Sequence, residues 1–128
     1  MSTETYQQLI AQIPVGLDGE LVRILSGHVG YPNAIGRGKL VEIIRLAGKD
    51  VNERVVRQAI HDLRRAGYLI CSAPGEDGGY YMAGNLDEFD DFIARELHPK
   101  AMDMLETEKA MKESARQQFG EAVQLGML

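Results

Sequence analysis

The stretch from residue 51 to residue 67 restricts the fold more than any other, because it carries the signals for both ends of one helix. Asn52 suits the N-cap, where its side-chain oxygen can accept from an otherwise unpaired first-turn N–H. Val51 and Val56 are spaced for a hydrophobic staple across that cap. Gly67 suits the C′ position, where the backbone must turn left-handed. At about 100° per residue, Val56, Ala59, Ile60 and Leu63 share one face. Arg54, Gln58, His61 and Arg65 fall opposite, with Arg57 and Arg64 to one side. A cationic face of long hydrogen-bonding side chains can touch phosphates and base edges in a major groove. An ordinary solvated face is the competing explanation, with Glu53 and Arg57 as an i, i+4 pair and Asp62 near the same surface.

The charge distribution bears on that choice. The net charge of −5 argues against a protein that coats nucleic acid indiscriminately. Residues 36–66 nevertheless hold eight Lys/Arg against four Asp/Glu, whereas residues 76–128 hold five against twelve. Phosphate binding is therefore expected only in the middle segment. No apolar run approaches the roughly 20 residues that span a bilayer. The N-terminus lacks the basic and apolar regions of a secretory signal, and Cys71 is the sole cysteine. A soluble cytoplasmic protein without internal disulfides is expected.

The flanking segments extend the pattern. Residues 1–16 form a polar leader. A first core helix is expected over 17–25, capped by Asp18 and buried through Leu21, Ile24 and Leu25. Gly27, Gly30 and Pro32 break it, and Ala34-Ile35 is a candidate short strand. Lys39 opens a second helix to Ala47, with Leu40, Ile43, Ile44 and Ala47 inward, and Gly48-Lys49-Asp50 turns into the central helix. Gly36-Arg37-Gly38-Lys39 lacks the spacing of a nucleotide-binding loop. After Gly67 the period changes to strand-like, at Tyr68 to Ser72 and Tyr80 to Met82, around a turn cluster of residues 73–79. Helix, helix, cationic helix and hairpin is the order of a winged helix-turn-helix. The expected fold is mainly α with a small β-hairpin, followed by a long C-terminal helix. Residues 1–16 would be leader, 17–97 the domain, and 98–128 an amphipathic helix with a tail.

Val56-Arg57, Ile60, Leu63-Arg64, Gly67, Ile70-Cys71-Ser72 and Gly79-Tyr80-Tyr81 resemble small winged-helix domains of bacteriophage and prophage proteins, over roughly residues 17–97. The resemblance implies double-stranded DNA as partner and a role in transcription control or DNA replication. It puts Arg57 and Arg64 at the family's arginine positions and Tyr80 and Tyr81 in the wing. Two departures stand against it. The connection from Ala47 to Asn52 is longer than usual, and the wing tip carries Glu76 and Asp77, which a phosphate backbone repels. A winged-helix module that binds protein through an acidic wing is the alternative.

In the DNA reading, Asn52, Arg54, Gln58 and His61 reach bases, while Arg57, Arg64, Arg65, Lys39 and Lys49 hold phosphates. Asn85 caps a further helix with Glu88 at its third position, and Leu86, Phe89, Phe92, Ile93 and Leu97 form its apolar stripe. Pro99 should kink or interrupt the continuation. Ala101, Met104, Leu105, Met111, Ala115 and Phe119 then mark a second stripe, interrupted by Glu108, which a homodimer would bury, the alternative being that it folds back on the first helix and the leader. His28, His61, His98 and Cys71 are isolated, with no metal-ligand spacing and no nucleophile-base pair. Neither a cofactor, a metal nor an enzymatic activity is expected.

Overall fold

A computed structural model describes residues 16–75 and 78–120. The leader, the acidic wing tip at Glu76-Asp77 and the tail beyond 120 lie outside the described residues. The chain divides into two compact units, residues 1–92 and 93–128.

The first unit runs α1 (Leu17–Leu25), a 3-10 turn (Tyr31–Asn33), β1 (Ile35–Gly36), α2 (Arg37–Leu46), α3 (Glu53–Arg65), β2 (Ile70–Ser72), β3 (Gly79–Met82) and α4 (Leu86–Phe92). Asp18 does not cap α1: Gly16 takes the N-cap position, and Asp18 sits in the first turn, where its charge favours the helix dipole. The second helix begins at Arg37, two residues before the expected Lys39, because Gly36 both ends β1 and serves as its N-cap. Ala47, expected inward, is the exposed C-cap.

Both ends of α3 match the sequence signals. Asn52 Oδ1 accepts from the Val55 N–H at 2.9 Å. Val51 and Val56 are both buried, as a staple requires. At the far end Gly67 has φ +106°, a conformation that L side chains rarely adopt. Gly67 N–H donates to Arg64 O and Tyr68 N–H to Leu63 O, both at 3.1 Å, which completes a Schellman closure. Asn52→Ala is expected to cost about 1 kcal/mol of unfolding free energy through the lost cap. Urea denaturation checks this as a lowered midpoint at unchanged slope.

The sheet is antiparallel with strand order β1-β3-β2, so the hairpin gains a third strand from the segment ahead of α2. Ile35 pairs with Tyr80 and Gly36 with Gly79, while Cys71 pairs with Tyr81 on the other side of β3. One core joins Leu21, Val22 and Leu25 of α1, Leu40 and Ile44 of α2, Ile60 and Leu63 of α3, and Ile70 and Met82 of the sheet. Alternation of these residues with polar ones sets which side of each helix turns inward.

Asn85 Oδ1 accepts from the Glu88 N–H at 2.9 Å, as a cap should. The Glu88 carboxylate accepts from Gly84 N–H at 2.8 Å and from Tyr31 N–H at 2.9 Å, tying the start of α4 to the 3-10 turn. Of the expected stripe on this helix, Phe92 is buried, whereas Leu86 is 67% exposed.

The second unit begins with a π-helical turn, Ile93–Leu97, followed by α5 (His98–Phe119). Pro99 stands in the first turn of α5 directly after helical backbone, so its missing N–H leaves a carbonyl of the preceding turn without its usual donor. The irregular backbone lies just ahead of the proline, in the π turn.

Candidate nucleic-acid interface

The outward side of α3 is polar because its four inward positions, Val56, Ala59, Ile60 and Leu63, take all the apolar residues of the helix but Val55. Arg54, Arg57, Gln58 and His61 are exposed and line one open depression. A neighbouring depression runs past Asp18, Asn52, Arg54, Val55 and Asp62. Arg65 is exposed on the last turn of the same helix. Lys39 is exposed in the first turn of α2, and Lys49 is half-buried in the turn between α2 and α3. That turn is held closed from outside: Arg45 Nε donates to Val51 O at 2.6 Å.

Among the described residues, ion pairs occupy Arg23, Arg95, Lys112 and Arg116 and none engages Lys39, Lys49, Arg54, Arg57 or Arg65. The Glu53–Arg57 pair of the competing solvated-face explanation is not among them. Gln58 is oriented rather than free, since its Nε2 donates to Asp62 Oδ1 at 3.1 Å. The two flanks of the helix differ in charge. Asp18 and Asp62 lie on one, while Arg57 neighbours Arg37 and Tyr80 on the other.

Arg64 does not belong to this face. Its Nε donates to Ile70 O at 2.7 Å, and its guanidinium carbon lies 5.2 Å from the centroid of the Phe92 ring. Burial pushes its pKa below the usual arginine value, partly offset by Tyr80 and Cys71. Nη2 is buried with no hydrogen-bond partner. The expected phosphate contact is corrected to a packing role: position 64 is on the edge of α3 that meets β2, so its stem runs inward.

Arg37 was not singled out by the sequence and proves to brace the hairpin. Its Nη1 donates to Gly75 O at 3.1 Å and Gly78 O at 3.2 Å, and Nη2 donates to Ala73 O at 3.3 Å. Its guanidinium also stacks 5.7 Å from the Tyr80 ring centroid. No local spacing could have announced this, because each acceptor lies more than thirty residues away.

Cys71 is fully buried in β2. His28, expected at a helix end, lies three residues beyond the last residue of α1, with Nδ1 2.8 Å from Asn33 O. Among the described residues, no group of three or more His, Cys, Asp or Glu side chains is placed to hold a metal ion, and no helix is long and apolar enough to cross a membrane. Comparison of the chain with protein-family models, with curated proteins and with solved structures finds no match.

Proposed function

We propose that this chain carries a winged helix-turn-helix domain within residues 17–97 that binds double-stranded DNA, with α3 in the major groove. The observation that carries the reading is the cluster of Arg54, Arg57, Gln58 and His61 on one exposed side of α3, with both arginines outside any ion pair among the described residues. Arg and Gln are the residue types that read guanine and adenine edges in pairs of hydrogen bonds. Asn52, Arg54, Gln58 and His61 take the base-facing positions, and Arg57, Arg65, Lys39 and Lys49 the phosphates. The order α1-β1-α2-α3-β2-β3, with β1 closing the sheet against β3, supports the winged form. The protein acts in transcription control or DNA replication of phage or prophage type, as a homodimer through its C-terminal helix.

A salt titration of binding to mixed-sequence duplex DNA tests this, with Arg54→Ala/Arg57→Ala beside the wild type. Wild type should bind with a steep dependence of affinity on salt, because each neutralised phosphate releases counterions. The double variant should lower the slope by about 1 for each phosphate that it no longer neutralises. Arg54→Ala alone should relax sequence preference, whereas Lys39→Ala should weaken all sequences alike. Absence of binding at low salt would reject the reading. It would favour the protein-binding alternative, to which the acidic Glu76 and Asp77 of the wing tip point.

A further inference from the structure

Helix α5 holds large apolar side chains in water. Met104, Met111 and Phe119 are 73%, 68% and 70% exposed, and Leu105 is 56% exposed. At 100° per residue, Leu97, Ala101, Met104, Leu105, Met111, Ala115 and Phe119 fall within an arc of about 120°. Glu108 stands near the middle of that arc and at the midpoint of the helix. Its Oε1 is 2.6 Å from Lys112 Nζ, one turn on, so the charges within the stripe sum to zero.

We infer that α5 pairs antiparallel with α5 of a second copy of this chain, about a twofold axis at Glu108. This deepens the dimer component of the proposed function and does not depend on DNA contact. The argument is the mirror spacing of the stripe. Leu105 and Met111 lie three residues to either side of Glu108, Ala101 and Ala115 seven, and Leu97 and Phe119 eleven. A twofold contact must be self-complementary, with each residue meeting the mirror position of the partner. Antiparallel pairing then sets small against small, Ala101 on Ala115, and large against large, Leu105 on Met111 and Leu97 on Phe119. Two helices can approach closely along such a seam.

Charge selects the same direction. In a parallel, in-register pair the two Lys112 ammonium groups share one level, where like charges repel. In the antiparallel pair Lys112 lies level with Met104, against which its aliphatic stem can pack. The two ammonium groups are then eight residues apart along the seam, about 12 Å of helical rise. They flank the two central Glu108 carboxylates, so each carboxylate has a lysine from either chain in reach.

Sedimentation equilibrium of the full chain without DNA, across a concentration series, tests the pairing. Wild type should be a dimer, and Met104→Asp/Met111→Asp should raise the dissociation constant at least about 100-fold by putting four charges on the seam. Far-UV circular dichroism should show the variant folded, since both positions are exposed. Direction is read by disulfide trapping, for which the fully buried Cys71 gives little background. Ala101→Cys mixed with Ala115→Cys should cross-link, and Ala101→Cys alone should not. A monomeric wild type, a dimer indifferent to the aspartates, or efficient cross-linking of Ala101→Cys with itself would each overturn the inference. A chain that fails to bind DNA but pairs in this way would leave it intact.

Discussion

Gly79→Ala is expected to remove most of the stability of the first unit. A Cβ at this position would lie 1.7 Å from Ile35 O and 2.8 Å from Gly36 Cα, and both obstacles are backbone. No rotamer change relieves such a clash, because the atoms it meets belong to β1, paired in register at Gly36 and Gly79. Either β1 leaves β3 or the whole sheet shifts, and Ile35, buried in the core, moves with it. The loss should be on the order of 4 kcal/mol or more, in the range that marks steric or core disruption. That is most of the stability of a domain near the lower end of the roughly 5–15 kcal/mol typical of folded proteins. Gly38→Ala is the control, since nothing stands within 4 Å of its Cβ position and it lies in the first turn of α2. It should be neutral or add up to about 1 kcal/mol through helix propensity. Thermal unfolding of the two variants should move the midpoint far down in the first case and not down in the second. A Gly79→Ala protein within about 1 kcal/mol of wild type, the ordinary cost of a point substitution, would mean that β1 does not sit against β3.

The second large effect separates the two kinds of arginine on α3. Arg64→Ala removes a guanidinium that lies over the Phe92 ring and leaves Ile70 O without its donor. The expected cost is about 2–4 kcal/mol, from lost packing and an unsatisfied carbonyl. Arg64→Met keeps the stem's volume and removes a charge that burial disfavours, so it should recover at least half of that loss. Neither variant should change the salt slope of DNA binding, because the guanidinium faces Phe92 and β2 rather than solvent. Arg57→Ala should do the reverse, with stability unchanged within about 0.5 kcal/mol and a salt slope lowered by about 1. Guanidinium denaturation and a salt titration on wild type and these three variants measure both. An Arg64→Met protein that folds normally yet loses salt dependence would return Arg64 to the interface.

The contrast between these arginines shows how far periodicity reaches. The helical repeat located Arg54, Gln58, His61 and Arg65 opposite the core face of α3, and all four are exposed in the structure. The same arithmetic left Arg57 and Arg64 together on one flank, although one is exposed and the other points inward. Which of them is buried depends on β2 and Phe92, and hence on how the chain returns after Gly67. The expected hairpin is present, but its third strand required Ile35 to meet Tyr80 across more than forty residues. The short apolar Ala34-Ile35 marked a candidate strand, but a two-residue strand has no period that could show which strand it pairs with.

What the sequence determined by itself is what depends on neighbours a few residues apart. The cap at Asn52 bonds a group three residues on, the closure at Gly67 a turn back, and the core faces follow from the helical repeat. The burial of Cys71 in a strand belongs here too, since β-formers with little charge surround it. Tertiary structure alone decided the fate of the remaining cations and the partner of the closing strand. Arg37 became the brace of the hairpin, and Arg64 a half-buried cation over an aromatic ring. Arginine is equally at home in water and against carbonyls or rings, so its own chemistry does not choose between them. The choice is made by whatever surface the fold brings within reach of its side chain.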